Sequence, residues 1–153
     1  MRIVHASQVL EGTVHEAEAV WYDLARWPRW VPGLETVSVV GGQWPSAGAQ
    51  VRWESGPAGR GRVLERVVEY EPLAGQTVEV EDDSIRGHQT VAFSAQEANV
   101  AVELSLAYEL KQRSPLMRLV DVVFIRRAMT RALEQTLGRF GSELEAARAS
   151  DVG

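Results

Sequence analysis

Few residues in this chain have both the type and the spacing that chemistry requires. The three histidines, His5, His15 and His88, are scattered, and there is no Cys. A zinc site needs three or four such ligands held together, so neither a structural nor a catalytic metal is expected. No Gly-rich phosphate loop of the expected form occurs. Gly56 to Gly61, Gly-Pro-Ala-Gly-Arg-Gly, reads as a hairpin turn. Ser55 and Ser94 lie outside any nucleophile-elbow context. Asp82-Asp83 fits a solvated turn better than a catalytic acid pair. No cofactor is expected.

What remains is aromatic and cationic. Of five Trp, Trp21, Trp27 and Trp30 fall close together. Trp is large and needs apolar surroundings with a partner for its ring N–H, so the cluster marks a core corner or the wall of a ligand site. Near the C-terminus, Met129, Leu133, Leu137, Phe140 and Leu144 share one face at helical spacing. Extended backward, the stripe passes through Leu119, Val122 and Arg126, so Arg126 stands where an apolar residue belongs. Leu116, Val120, Val123 and Phe124 occupy another face, which leaves the first half of this helix apolar nearly all round. Such a helix packs within a core, or roofs a cavity and meets a second subunit or loop on its far side. The basic residues Arg118, Arg126, Arg127 and Arg131 read as a solvated helix face.

The elements that position these residues follow from the pattern. A strand over 2–11 precedes Thr13-Val14-His15-Glu16, a capping box that opens a short helix with Ala17, Val20, Trp21 and Leu24 on one face. Pro28 and Pro32 break the next helix to about a turn. Strands over 34–40, 49–54, 62–70, 77–81, 88–95 and 100–110 follow, joined by short Gly- and Pro-bearing turns that favour an antiparallel meander. The last strand alternates cleanly, with Val100, Val102, Leu104, Leu106, Tyr108 and Leu110 on one side. The strand 62–70 mixes apolar and charged residues on both sides, so alternation does not orient it. From Pro115 to about Ala147 the chain is helix-forming, with a frayed tail over 148–153.

The length of 153 residues suits one domain, placed at 1–147. A net charge of −5 argues against a nucleic-acid partner. No segment reads as a signal peptide or a membrane span. Zero Cys is compatible with a reducing cytoplasm, where the protein is placed.

This order of elements resembles the START-like superfamily, also called SRPBCC, which includes the birch-pollen-allergen and polyketide cyclase/dehydrase families. The segment Val20-Trp21 through Trp27-Pro28-Arg29-Trp30 is similar to that group's helix signature. Gly61-Arg62-Val63-Leu64-Glu65-Arg66-Val67 and Tyr70-Glu71-Pro72 are similar as well. The interval from Trp21 to Trp27 is shorter than in many relatives, which implies an early end to the first helix. The resemblance implies an α+β helix-grip fold: a seven-stranded curved antiparallel sheet around the long C-terminal helix, with two short helices between the first two strands. It implies a cavity between sheet and helix, holding an apolar or amphipathic, lipid-like or polyketide-like molecule as carrier or sensor.

Residues expected at that cavity are Trp27, Trp30, Trp53, Leu64, Arg66, Val68, Tyr70, Phe93, Leu104, Leu106, Val122 and Arg126. Related aromatic-polyketide cyclases place an Arg where this chain has Tyr70. Any catalysis, as a cofactor-free cyclase, aromatase or dehydratase, would therefore fall to Tyr70 with Arg66 nearby. Arg66 and Arg126 are expected to project inward and to meet Glu79, Glu103 or a ligand carboxylate. A protein-binding role, or a homodimer, through the far side of the long helix is the remaining alternative.

Overall fold

The computed structural model describes residues 2–56, 61–111 and 124–152. Strand β1 (Arg2–Glu11) leads into α1 (Val14–Trp21), a 3-10 turn (Leu24–Arg26) and the one-turn α2 (Trp27–Trp30). Strands β2 (Leu34–Gly41), β3 (Gln50–Ser55), β4 (Arg62–Glu71), β5 (Gly75–Glu81), β6 (Ile85–Gln96) and β7 (Asn99–Leu110) follow, and α3 (Arg126–Val152) closes the chain. The seven strands form one antiparallel sheet in the order β1-β7-β6-β5-β4-β3-β2. Each hairpin from β2 to β7 pairs sequence neighbours, as short turns require, and β1 adds beside β7.

Local chemistry sets the element ends. The Thr13 hydroxyl accepts the Glu16 amide at 3.1 Å, and the Glu16 carboxylate accepts the Thr13 amide at 2.9 Å. These two bonds satisfy donors that the first turn of α1 leaves open. Asp82 closes the β5–β6 turn by accepting the amides of Ser84 and Ile85 at 2.8 and 2.9 Å. It is buried rather than solvated.

The apolar stripe of α3 packs onto one face of the sheet, with Leu133, Leu137, Phe140 and Leu144 all buried. The helix continues to Val152, past the point where fraying is suggested by sequence. Arg148 ties it to α1 through Glu16, Nε to Oε2, at 3.3 Å. Pro115, Leu116, Arg118, Leu119, Val120, Val122 and Val123 lie outside the described residues. Among the described residues, no helix is long and apolar enough to cross a membrane.

Candidate ligand-binding face

Strand register decides which side chains face α3. One row across the inner face runs Val51, Glu65, Val80, Gly87 and Tyr108. The next holds Val67, Val78, Gln89 and Leu106, and the next Tyr70, Gln76, Val91 and Leu104. Trp53 pairs with Val63 at one end, and Phe93 with Val102 at the other. The surface is apolar apart from Glu65, Gln76, Gln89 and the two phenols. Glu65 and Gln76 are buried at 6% and 5% exposure, so neither is a solvated edge group. Gly87 is required here. A Cβ at that position would lie 2.1 Å from the Ala107 carbonyl oxygen, a distance no side chain tolerates.

The segment from α1 to α2 closes one end with stacked rings. Trp21 contacts Trp30 and Phe140 at centroid distances of 4.8 and 5.0 Å, and Trp30 contacts Phe140 at 5.2 Å. Trp27 stands edge-on to Trp44 at 5.5 Å. These separations fall in the favourable range for offset and T-shaped pairs. Two indoles find acceptors: Trp27 Nε1 donates to the Trp21 carbonyl and Trp44 Nε1 to the Tyr22 carbonyl, both at 2.8 Å. Trp30 Nε1 and Tyr22 Oη are buried and have no hydrogen-bond partner among the described residues.

Tyr22 and Tyr70 meet at right angles, 5.4 Å apart. A β-bulge between Val67 and Glu69 makes this possible. It inserts one extra residue, so that Tyr70 returns to the inner face opposite Gln76. Burial pushes the Tyr22 phenol well above its usual value, with Tyr70 and the Glu18 carboxylate adding to the shift. Burial, then Glu18, raises Tyr70 as well. Both phenols are therefore neutral hydrogen-bond donors at physiological pH. Glu18 is held in place by the Leu73 amide, which donates to its Oε2 at 2.8 Å. Tyr70 also borders a hollow of about 660 Å³ shared with Glu69, Gln76 and Thr77.

Of the residues expected at the cavity, Trp53, Tyr70, Phe93, Leu104 and Leu106 lie on the inner face. Trp27 and Trp30 are buried in the ring stack at its end. Leu64, Arg66 and Val68 are corrections, because all three are exposed on the outer face. The inner set of β4 is Val63, Glu65 and Val67, one residue out of phase with the expected set. A one-residue slip turns every side chain of a strand over. Arg66 does meet Glu79, Nη2 to Oε2 at 2.7 Å, but as an exposed pair. Glu103 is exposed on the outer face. Arg126 is exposed too, because the stripe is fully buried only from Leu133 onward. Val122 lies outside the described residues.

Sequence reasoning missed Glu65, Tyr22 and Trp44. Glu65 is flagged only by Val63 and Val67 on either side of it. Tyr22 and Trp44 carry no periodic signal, because loop and cap geometry place them. Among the described residues, no three His, Asp or Glu side chains converge as a metal site requires.

The family model for polyketide cyclase / dehydrase and lipid transport matches residues 1–145. The chain belongs to this family. Solved structures agree on the fold. A protein of Thermus thermophilus is similar with a TM-score of 0.79 and 22% identity, over 95% of this chain and 99% of the other. A START superfamily protein from Mycobacterium smegmatis gives 0.76 and 14%, over 95% and 98%. Norcoclaurine synthase from Thalictrum flavum, in complex with a transition-state analogue, gives 0.70 and 11%, over 96% of each chain. No curated protein matches the sequence. The family and fold fit a hydrophobic-ligand-binding or polyketide cyclase-like domain.

Proposed function

We propose that this member of the polyketide cyclase/dehydrase and lipid-transport family holds an amphipathic small molecule between the inner sheet face and the long helix, as a carrier or sensor in the cytoplasm. One observation carries the reading. On a largely apolar surface, Trp30 Nε1 and Tyr22 Oη are buried without an acceptor among the described residues. An orphaned buried donor costs about 1–3 kcal/mol, and native proteins rarely leave such groups unsatisfied without a use. A ligand with an apolar body and a carbonyl or ester oxygen would satisfy one of them. A carboxylate head is the weaker choice, since Arg66 lies on the outer face and Arg126 is exposed beyond the buried part of the stripe.

Native mass spectrometry of freshly purified protein tests this, followed by titration with ketone- and ester-bearing lipids while Trp emission is followed. Saturable binding that weakens in Trp30→Phe is the expected result. A clean apo mass with no saturable binding across such a panel overturns it.

The two neutral phenols at 5.4 Å favour a second reading. A poly-β-keto substrate held against the inner face would find a proton donor in Tyr70, as cyclisation or dehydration needs. Turnover of such substrates that collapses in Tyr70→Phe supports it. Absence of turnover across the panel removes it.

A further inference from the structure

Strand β4 carries a carboxylate where its neighbours call for an apolar side chain. Glu65 stands between Val63 and Val67 on the inner side of the strand, and its cross-strand partners are Val51 and Val80. All four valines are buried at 1% exposure or less, and Glu65 at 6%. Stability alone does not account for an acid there, because exchanging buried ionic groups for apolar ones of similar size is often neutral or stabilising. Glu65 closes no turn either, unlike buried Asp82, which accepts the amides of Ser84 and Ile85. The helix covers this end of the sheet least. Arg148 meets Glu11 at 3.7 Å and Gly141 lies against Leu10, so α3 runs antiparallel to β1 and its first turns reach toward Arg2. Arg2 pairs with Tyr108, which shares a row with Glu65 and Gly87. Ile125 and Met129, at that end of the helix, are only half-buried, whereas Leu133, Leu137, Phe140 and Leu144 are buried.

We infer that Glu65, within the ligand site proposed for the inner face and dependent on that reading, selects molecules that carry a hydroxyl group. Apolar sites fix the orientation of a ligand through a few placed polar groups, and a carboxyl oxygen accepts from a hydroxyl. Glu65 is engaged within the protein, but a carboxylate offers about four acceptor positions, which leaves room for a ligand donor. A hydroxyl suits the site better than an ammonium, which would have to leave its water on an otherwise apolar surface. The register sets the length of the molecule. Glu65 pairs with Val80 and Tyr70 with Gln76, so at about 3.3 Å per residue of β5 the two polar ends lie about 13 Å apart. Between them the inner row is Val67, Val78, Gln89 and Leu106. The ligand class is therefore an elongated molecule with an apolar middle, a carbonyl toward Tyr22 and Tyr70, and a hydroxyl toward Glu65.

Titration of the full chain with three long-chain ketones decides the matter, the carbonyl and the far terminus lying about 13 Å apart. They differ only at that terminus, which is a hydroxyl, its methyl ether or a carboxylate. The unaltered protein should bind the hydroxyl form about tenfold or more tighter than the ether, as a hydrogen bond to a charged acceptor gives. The carboxylate form should bind weakest, because it sets a second anion beside Glu65 on an apolar face. Glu65→Leu should bind the hydroxyl and ether forms alike, with affinity for the ether unchanged or raised. Glu65→Gln keeps an acceptor without the full charge and should leave a preference below about tenfold. Circular dichroism checks that each variant folds, and where Glu65→Leu does not, the reduced preference of Glu65→Gln carries the test. Equal binding of the hydroxyl and ether forms by the unaltered protein overturns the role of Glu65 and leaves the ligand site standing. So does a preference that survives Glu65→Leu, or an equal loss of both forms in that variant with their ratio kept, which is the mark of a structural role. Failure of all three ketones to bind overturns the ligand site and the role of Glu65 together.

Discussion

Replacing Tyr22 with Phe removes one atom, and that atom is an orphan. In an ordinary buried Tyr the hydroxyl is hydrogen-bonded, and its loss costs about 1 kcal/mol. Here Oη is buried with no partner among the described residues, so deleting it relieves a desolvation cost of about 1–3 kcal/mol. Against this stands the lost packing of a single oxygen. Tyr22→Phe should therefore leave ligand-free protein as stable as before, or up to about 2 kcal/mol more stable. Urea unfolding at neutral pH, with the m-value unchanged, measures this. The alkaline limb gives a second readout. The folded pKa of Tyr22 is raised above the ordinary 10.0 of the unfolded chain. Below pH 10 the phenol is neutral in both states. Above it the unfolded chain loses the proton first, and stability falls as pH rises, by at most about 1.4 kcal/mol per unit for this one group. Tyr22→Phe should flatten that fall. A loss of more than about 1 kcal/mol at neutral pH, or an unchanged alkaline slope, would refute the view of Tyr22 as an unpartnered buried donor.

Other expectations can be checked alongside. Phe140→Ala empties a fully buried site between Trp21 and Trp30, and denaturant unfolding should show a loss of about 3–5 kcal/mol. Thr13→Ala removes the cap of α1 and should cost about 1 kcal/mol, seen as a lower urea midpoint. Arg66→Ala breaks only an exposed pair with Glu79. It should change stability by less than about 1 kcal/mol and leave titration of an apolar probe unaltered. A large drop in probe affinity would restore Arg66 to the inner face.

Much of the fold was legible in the sequence because its signals are local. The Thr13–Glu16 capping box, the two prolines that cut α2 short, and the alternation along β7 each depend on neighbours within a few residues. The stripe from Met129 to Leu144 repeats at the helical period, so its buried side is evident before any partner is known. The candidate site was legible only in part. Strand β4 has valines on both sides, Val63 and Val67 against Val68, and charges on both. Its inward face was set by pairing with β3 and β5, which brought in Glu65 and turned out Arg66. The bulge after Val67 then returned Tyr70 to the interior, a change of one residue in register that no pattern along a single strand records. Arg126 sits in phase with the buried stripe yet remains exposed, because periodicity gives direction around a helix and not how far along it the core extends. The sequence by itself thus determined the elements, their order and the apolar stripe that unites them. Which polar atoms came to lie buried without partners among the described residues, Tyr22 Oη and Trp30 Nε1, was decided only by the tertiary structure. Hydrogen-bond satisfaction depends on groups distant in the chain, and packing alone brings those groups near or leaves them apart.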